Sequence, residues 1–183
     1  IFFRFLIIFD HFLSFFIDQN DLKIFEYNRI IKNISHFDEI EFLNTLENNF
    51  KIESLVNHQA PNSKEELSIY FNKKWYLIKV KSEKIFGDFK SHLNSQIVSD
   101  LILKDIFKIN HSDSYKNIEY IKGNQPLSFL VNRVNLLGDS IGIQLYPHVI
   151  EEITSMADMG ENMPPKSTWI EPKLRSGLTI YEY

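Results

Sequence analysis

Apolar and polar residues alternate at residues 21–27, which is the period of a β-strand. Short apolar runs bounded by turn residues predict further strands at 50–56, 75–80, 118–121 and 141–146. The run at 75–80 is apolar on nearly both faces, which is typical of a strand in the middle of a sheet. The pattern therefore predicts a sheet with a buried central strand.

Helices are predicted between these strands by their start signals. Asp38 and Glu41 have the spacing of a capping box, and the helix that follows is expected to bury Ile40, Leu43, Leu46 and Phe50. A second capping box, Ser63 and Glu66, predicts a helix at 64–71. Further helices are predicted from Asn94, which begins a broad apolar stripe, at 127–134, and from Pro147 to near Gly160.

Strands and helices follow one another in unequal order, which favours an α+β fold, a mixed sheet with helices packed on it, over the alternative α/β fold. The chain has 183 residues, of which 44% are hydrophobic and 24% charged, as in an ordinary globular protein. At this length one domain is the default. We expect residues 1–183 to form a single domain or the carboxy-terminal part of one.

The opening segment, residues 1–17, is strongly apolar and starts with Ile1 rather than methionine. Arg4, Asp10 and His11 interrupt it, so its longest uncharged stretch is far shorter than the ~20 residues that a membrane span needs. We expect this apolar start to pack on a missing amino-terminal half of the same protein, and we expect no membrane segment.

The composition argues against several classes of function. A net charge of −4 at pH 7 argues against a nucleic-acid-binding surface of the usual kind. The chain has no cysteine, which excludes disulfides, thiolate nucleophiles and cysteine-ligated zinc. Without a secretory pattern, the cytoplasm is the expected compartment.

Motifs for catalysis are scarce. The six histidines are too far apart in sequence for a local metal motif, and the six glycines form no phosphate-cradling pattern. The acidic pairs Glu65/Glu66 and Glu151/Glu152 are explained by first helical turns, where carboxylates compensate the helix dipole. We expect no metal site, and we predict that the isolated chain is inactive.

A polar segment near the end, DMGENMPPKSTWIEPKLRSG at residues 158–177, gathers positive charge within an acidic protein. Pro164 and Pro165 stiffen it. Rigid loops that offer cations, hydroxyls and free N–H groups suit a phosphate or carboxylate. The candidate anion-binding residues are therefore Lys166, Ser167, Thr168, Lys173, Arg175 and Ser176. The alternative is a structural loop with charges on its rim.

The run LYPHVIEEITSMADMGENMPPKSTWIEPKLRSGL, residues 145–178, resembles the carboxy-terminal signature of the bacterial and archaeal domain-of-unknown-function family number 1015. Weaker similarity occurs in DLKIFEYNRI, LNSQIVSDLILKDIF and IEYIKG, so the resemblance covers nearly all of the chain after residue 16. It implies a longer protein whose first half carries an Asp-Gly-His-His-Arg motif. That motif, which this chain lacks, is similar to the phosphate-binding element of the ParB-like and sulfiredoxin-like fold.

Relatives of that fold include a free-serine kinase and CTP-hydrolysing partition proteins. The resemblance thus implies that this bacterial chain is a carboxy-terminal fragment of a nucleotide-dependent small-molecule kinase or a phosphate-binding protein. Its full-length form would use a nucleotide, and the loop from Lys166 to Ser176 would close on a small anionic ligand. The alternative is a non-catalytic regulatory or scaffolding module, in which the PPKST loop packs against the missing half or a partner.

Overall fold

The computed structural model describes residues 16–34, 38–109 and 114–173, with the side chains of all of these except residues 114 and 115. The strands form one 7-stranded sheet in the order β2-β4-β3-β6-β1-β5, and β7 pairs with β1. Their bounds are β1 Lys23–Lys32, β2 Phe50–Leu55, β3 Glu66–Phe71, β4 Lys74–Val80, β5 Ile118–Lys122, β6 Ser140–Leu145 and β7 Thr168–Glu171. Neighbouring strands run antiparallel, whereas an α/β fold would have a mostly parallel sheet. The predicted α+β fold is confirmed.

The helices lie between the strands in sequence. Their bounds are α1 Glu39–Glu47, α2 Asn94–Ile97, α3 Ser114–Asn117, α4 Leu127–Leu137 and α5 Ile150–Asp158. A π-helix, Val98–Lys104, continues α2 without a break. Short 3₁₀ turns occupy Gln19–Asp21, Ser82–Lys84 and Phe89–His92.

Apolar side chains pack on both faces of the sheet. Ile30 and Ile31 are adjacent in β1 and therefore point to opposite faces. Ile31 belongs to the larger cluster of buried residues, which includes Phe42 of α1 and Ile102 of the π-helix. Ile30 belongs to the smaller cluster, which includes Leu130 of α4. The helices thus cover the sheet from two sides.

Backbone contacts divide the chain into two compact units, one comprising Ile24–Trp169 and the other comprising Ile1–Lys23 with Ile170–Tyr183. The first unit contains both apolar clusters. In the second unit, Asp18 caps the 3₁₀ turn by accepting a hydrogen bond from the backbone N–H of Asn20 at 2.8 Å. The expectation of a single domain, like the role assigned to residues 1–17, stays a prediction. None of the helices in the described ranges has the length and hydrophobicity that crossing a membrane requires.

The helix predicted at 64–71 is wrong, because these residues contain β3. The Ser63 hydroxyl caps nothing in the described structure, and the Glu66 carboxylate instead accepts a hydrogen bond from the backbone N–H of Asn62 at 3.0 Å. Every residue from Leu67 to Phe71 is buried, as expected of a central strand with both faces covered. A surface helix would bury only one stripe of the same residues.

Two predicted helices are confirmed in type but differ in detail. The helix predicted from Pro147 begins at Ile150, because residues up to Val149 are extended. The Asp38 cap of α1 is confirmed, since its carboxylate accepts from the backbone N–H of Glu41 at 2.7 Å. However, Ile40 is 73% exposed, so its predicted burial is wrong, whereas Leu46 is buried as predicted and Phe42 is buried with it. The helix is rotated so that the Phe42 ring packs edge-on against Phe71, with centroids 5.3 Å apart.

Glu39 joins the first turn of α1 to β4. Its Oε1 accepts hydrogen bonds from Lys74 Nζ and from the Tyr76 hydroxyl, each at 2.6 Å. The hydrogen bond from Lys74, followed by that from Tyr76, holds the pKa of Glu39 below its ordinary value of 4.5. A carboxyl whose pKa is lower in the folded state stabilises the fold above its unfolded pKa, and this stabilisation is lost as the pH falls.

We therefore expect Glu39→Gln to flatten the acid-induced decrease in the free energy of unfolding between about pH 5 and pH 3. The wild type should lose no more than about 1 kcal/mol through this group, since the ion pair is accessible to solvent. Urea unfolding at a series of pH values measures the effect. Glu47→Gln, at the exposed end of the same helix, is the control. Parallel pH profiles for wild type and Glu39→Gln would contradict the prediction.

Candidate anion-binding site

β1 carries a buried arginine. The Arg29 side chain is only 1% exposed and shares a sheet face with Ile31, two positions away. Its Nη1 donates to Ser99 Oγ at 3.2 Å and its Nη2 donates to the Ser95 carbonyl at 3.1 Å. Within the described ranges its Nε has no hydrogen-bond partner, and no carboxylate pairs with the guanidinium. Burial lowers the pKa of Arg29 to about 10, so the group remains charged at neutral pH.

A cavity of about 300 Å³ lies next to this arginine. Two of its lining residues contact Arg29, namely Ser99 and Tyr120, whose ring centroid is 5.9 Å from the guanidinium carbon. The remaining lining residues are Gln96, Asp100, Leu103, Lys104, Ile109, Ile118, Pro164 and Pro165. The guanidinium therefore lies behind the cavity wall and contributes positive charge to it.

The lining of the cavity is partly polar and partly apolar. On the helical side the Gln96 amide donates to the Asp100 carboxylate at 2.9 Å, next to Ser99 and Lys104. Tyr120 also lines the cavity, together with leucine, isoleucine and proline side chains. A ligand with an apolar ring and a charged group would match both parts of the lining.

Beside the cavity, three aromatic rings and two lysines form what we call the aromatic–cation cluster. The Tyr27 ring meets Tyr120 and Trp169 edge-on, at centroid distances of 6.4 and 5.9 Å. Lys122 Nζ lies 4.1 Å from the Trp169 centroid, and Lys166 Nζ lies 5.6 Å from the Tyr27 centroid. All three rings are half-buried and both lysines are exposed. The cluster adds two positive charges near the cavity.

The structure places three of the predicted anion-binding residues beside this cavity, directly after Pro164 and Pro165. Lys166 is exposed in a left-handed turn with φ of 53°. Ser167 is 3% exposed, and its hydroxyl has no described hydrogen-bond partner. Thr168 is half-buried at the start of β7. Their role in anion binding stays a prediction.

The other three candidates are not brought to the cavity by the described structure. Lys173 is exposed at the end of the last described range and belongs to the second unit. Arg175 and Ser176 lie outside the described residues. Their assignment therefore stays a prediction as well.

Sequence reasoning missed Arg29 and a second group of buried polar residues. His148 lies between Ser95 Oγ, 3.0 Å from its Nε2, and a Glu152 oxygen, 2.6 Å from its Nδ1. The i, i+4 spacing of His148 and Glu152 was the available signal for their contact. For Arg29, the available indication in the sequence was a charged residue within the largely apolar stretch of β1. In the described parts of the chain, no three histidine or acidic side chains are grouped as metal ligands.

A protein-family model described as "Protein of unknown function (DUF1015)" matches residues 8–104. This is the family that the sequence resembles. Among curated proteins, none matches this chain significantly.

Several solved structures resemble parts of this chain at low similarity. A free serine kinase in complex with AMP is 16% identical, with a TM-score of 0.45 over 82% of this chain and 54% of that chain. SbnI from Staphylococcus aureus, with a C-terminal truncation, is 12% identical, with a TM-score of 0.45 over 88% and 54%. A conserved hypothetical protein from Pyrococcus furiosus is 15% identical, with a TM-score of 0.45 over 82% and 56%. The chain spans about half the length of these structures, and similarity at this level does not indicate a shared function.

Proposed function

We propose that this chain, which belongs to the DUF1015 family, forms the phosphate-binding part of a longer, nucleotide-dependent protein. The observation that carries the proposal is the buried guanidinium of Arg29, which has no described carboxylate partner. A buried charge without a counter-ion costs several kcal/mol, so it calls for a functional reason. An anion bound in the adjacent cavity would supply the missing negative charge.

The surroundings of the cavity suit a phosphate-bearing ligand. The Ser167 hydroxyl, which has no hydrogen-bond partner among the described residues, follows the prolines that line the cavity. Lys122 and Lys166 add positive charge outside, which would attract an anion. Hydrogen bonds from charged donors to phosphate are roughly twice as strong as neutral ones. The apolar wall beside Tyr120 would take a ring such as a nucleobase.

Phosphoryl transfer is the proposed reaction of the longer protein, with a small molecule as the acceptor. Such a reaction needs bound metal ions and a positioned nucleophile in addition to phosphate-binding groups. We assign those parts to the missing half, where the family resemblance implies the Asp-Gly-His-His-Arg motif. In this proposal the present chain binds and orients the anion but does not catalyse turnover alone.

A regulatory or scaffolding module is the second candidate. It is favoured by the contacts of Lys122 and Lys166, since each already lies over an aromatic ring and needs no ligand for its stability. In that case the loop that begins at Pro164 would hold a partner or the other half of the protein. The two candidates differ in whether small anions bind.

Calorimetric titration of the full-length protein with phosphate, phosphoserine and ATP separates these candidates. We expect binding of at least one of them, and we expect Lys166→Ala to weaken it about five- to tenfold through loss of one exposed charge.

The matched control for this titration is Lys51→Ala. Lys51 is an exposed lysine on β2, at the opposite edge of the sheet from β5. Lys51→Ala changes the net charge by the same amount as Lys166→Ala. Because Lys51 lies at the other edge of the sheet, its removal should leave the affinity nearly unchanged. Absence of binding to all three ligands would refute the proposal and favour the module.

A further inference from the structure

A series of buried hydrogen bonds leads from α5 to the arginine behind the cavity. The Glu152 carboxylate lies 2.6 Å from His148 Nδ1, and His148 Nε2 lies 3.0 Å from Ser95 Oγ. The carbonyl of the same serine accepts from Arg29 Nη2 at 3.1 Å. All four residues are at most 8% exposed. This series of hydrogen bonds therefore connects β1, α2 and α5 through the interior of the protein.

The direction of these hydrogen bonds follows from the groups involved. An ionised carboxylate can only accept, so the Nδ1–H of His148 donates to Glu152. In the neutral imidazole, Nε2 is then an acceptor for the Ser95 hydroxyl. This arrangement satisfies both ring nitrogens and holds Ser95 in one position. Lys64 Nζ, 3.9 Å from the other Glu152 oxygen, adds a weak attraction at the outer end.

Ser95 connects this series of hydrogen bonds to the candidate anion site. Its carbonyl accepts from Arg29 Nη2 and also from Ser99 Oγ at 2.9 Å. Ser99 Oγ in turn receives the hydrogen bond from Arg29 Nη1. Both described hydrogen bonds of the guanidinium therefore end on the turn from Ser95 to Ser99. The π-helix starts within this turn, and such segments occur frequently at functional sites.

We propose that His148 is a positioning residue for the anion site. By fixing Ser95 it sets the position of the turn that holds the Arg29 guanidinium against the cavity wall, without touching the ligand itself. This inference rests on the proposed function, because it concerns the affinity of the same site. It differs from a purely structural role, in which His148 would only stabilise the packing of α5.

Two substitutions of His148 separate positioning from stability. In His148→Asn the side-chain amide nitrogen takes the place of Nδ1, so the contact with Glu152 is kept and the contact with Ser95 is lost. In His148→Gln the longer side chain reaches Ser95, and the contact with Glu152 is weakened. We expect His148→Asn to weaken phosphate binding about tenfold, and His148→Gln to stay within about twofold of wild type.

The titrations use the full-length protein and inorganic phosphate, at a temperature where thermal unfolding shows all variants to be folded. Equal affinities for the two variants, or weakening that follows their loss of stability, would overturn the positioning role. If the wild type binds no phosphate, the proposed function fails instead.

An NMR measurement tests, without any ligand, whether His148 positions Arg29. The Nε–H of Arg29 should give an NMR signal protected from solvent exchange, because the guanidinium is buried. We expect this signal to shift and to exchange faster in His148→Asn but not in His148→Gln. An unchanged Arg29 signal in both variants would show that the histidine does not position the arginine.

Discussion

Replacing Arg29 with methionine is expected to weaken phosphate binding strongly while leaving the protein as stable as the wild type or more stable. The guanidinium is buried without a described carboxylate partner, and burial alone lowers its pKa to about 10. Exchanging such a buried charge for an apolar side chain of similar length is often neutral or stabilising. The same exchange would remove the positive charge behind the cavity wall, so affinity should fall about a hundredfold, or ~2.7 kcal/mol.

Calorimetric titration with phosphate and urea unfolding of the same preparations measure both parts of this result. The matched control is Arg133→Met on α4, where the arginine is partly exposed and pairs with Glu119 through Nε and Nη2, each at 2.9 Å. That variant should bind phosphate like the wild type and lose little stability, because the ion pair is accessible to solvent. If Arg29→Met instead unfolded readily and still bound phosphate, the arginine would be a structural residue.

Phe42→Ala is expected to lower the free energy of unfolding by about 3–5 kcal/mol. The ring is fully buried in the larger apolar cluster, where it packs against Phe71 and Phe107 at centroid distances of 5.3 and 5.8 Å. Its removal would lose the transfer free energy of the ring and leave a cavity that the sheet and the π-helix cannot fill. Urea unfolding followed by circular dichroism measures the change.

Ile40→Ala is the control for this experiment, because Ile40 lies on the same helix and is 73% exposed. Its substitution should change stability by no more than about 0.5 kcal/mol. The pair also tests the rotation of α1, since the apolar pattern predicted Ile40 to be buried. A larger loss for Ile40→Ala than for Phe42→Ala would show that the helix packs with the other face inward.

The start of α1 shows what local sequence can predict. The Asp38 cap and its hydrogen bond to Glu41 involve residues three positions apart, so the motif forms from its own neighbours. The face that α1 buries is decided elsewhere, because the helix offers apolar residues on more than one side. Contact with Phe71 on β3 selects Phe42.

The segment at 64–71 shows where local signals conflict. Ser63 and Glu66 match a capping box, yet the five residues after them pair with β4 and β6. β4 follows β3 after a two-residue turn, but β6 is remote from the motif in sequence. Pairing on both sides outweighs a single cap worth about 1 kcal/mol. A local motif therefore predicted the wrong element.

The sequence alone determined the α+β class, the family and the polar, cationic loop, because periodicity, composition and short motifs are properties of neighbouring residues. Only the tertiary structure brought together the residues of the proposed anion-binding site. Arg29 meets Ser95 across 66 positions, and Ser95 meets His148 across 53. Hydrogen bonds between such distant residues leave no local pattern. They form because antiparallel pairing brings β1 into the interior, where burial favours hydrogen bonds between polar groups.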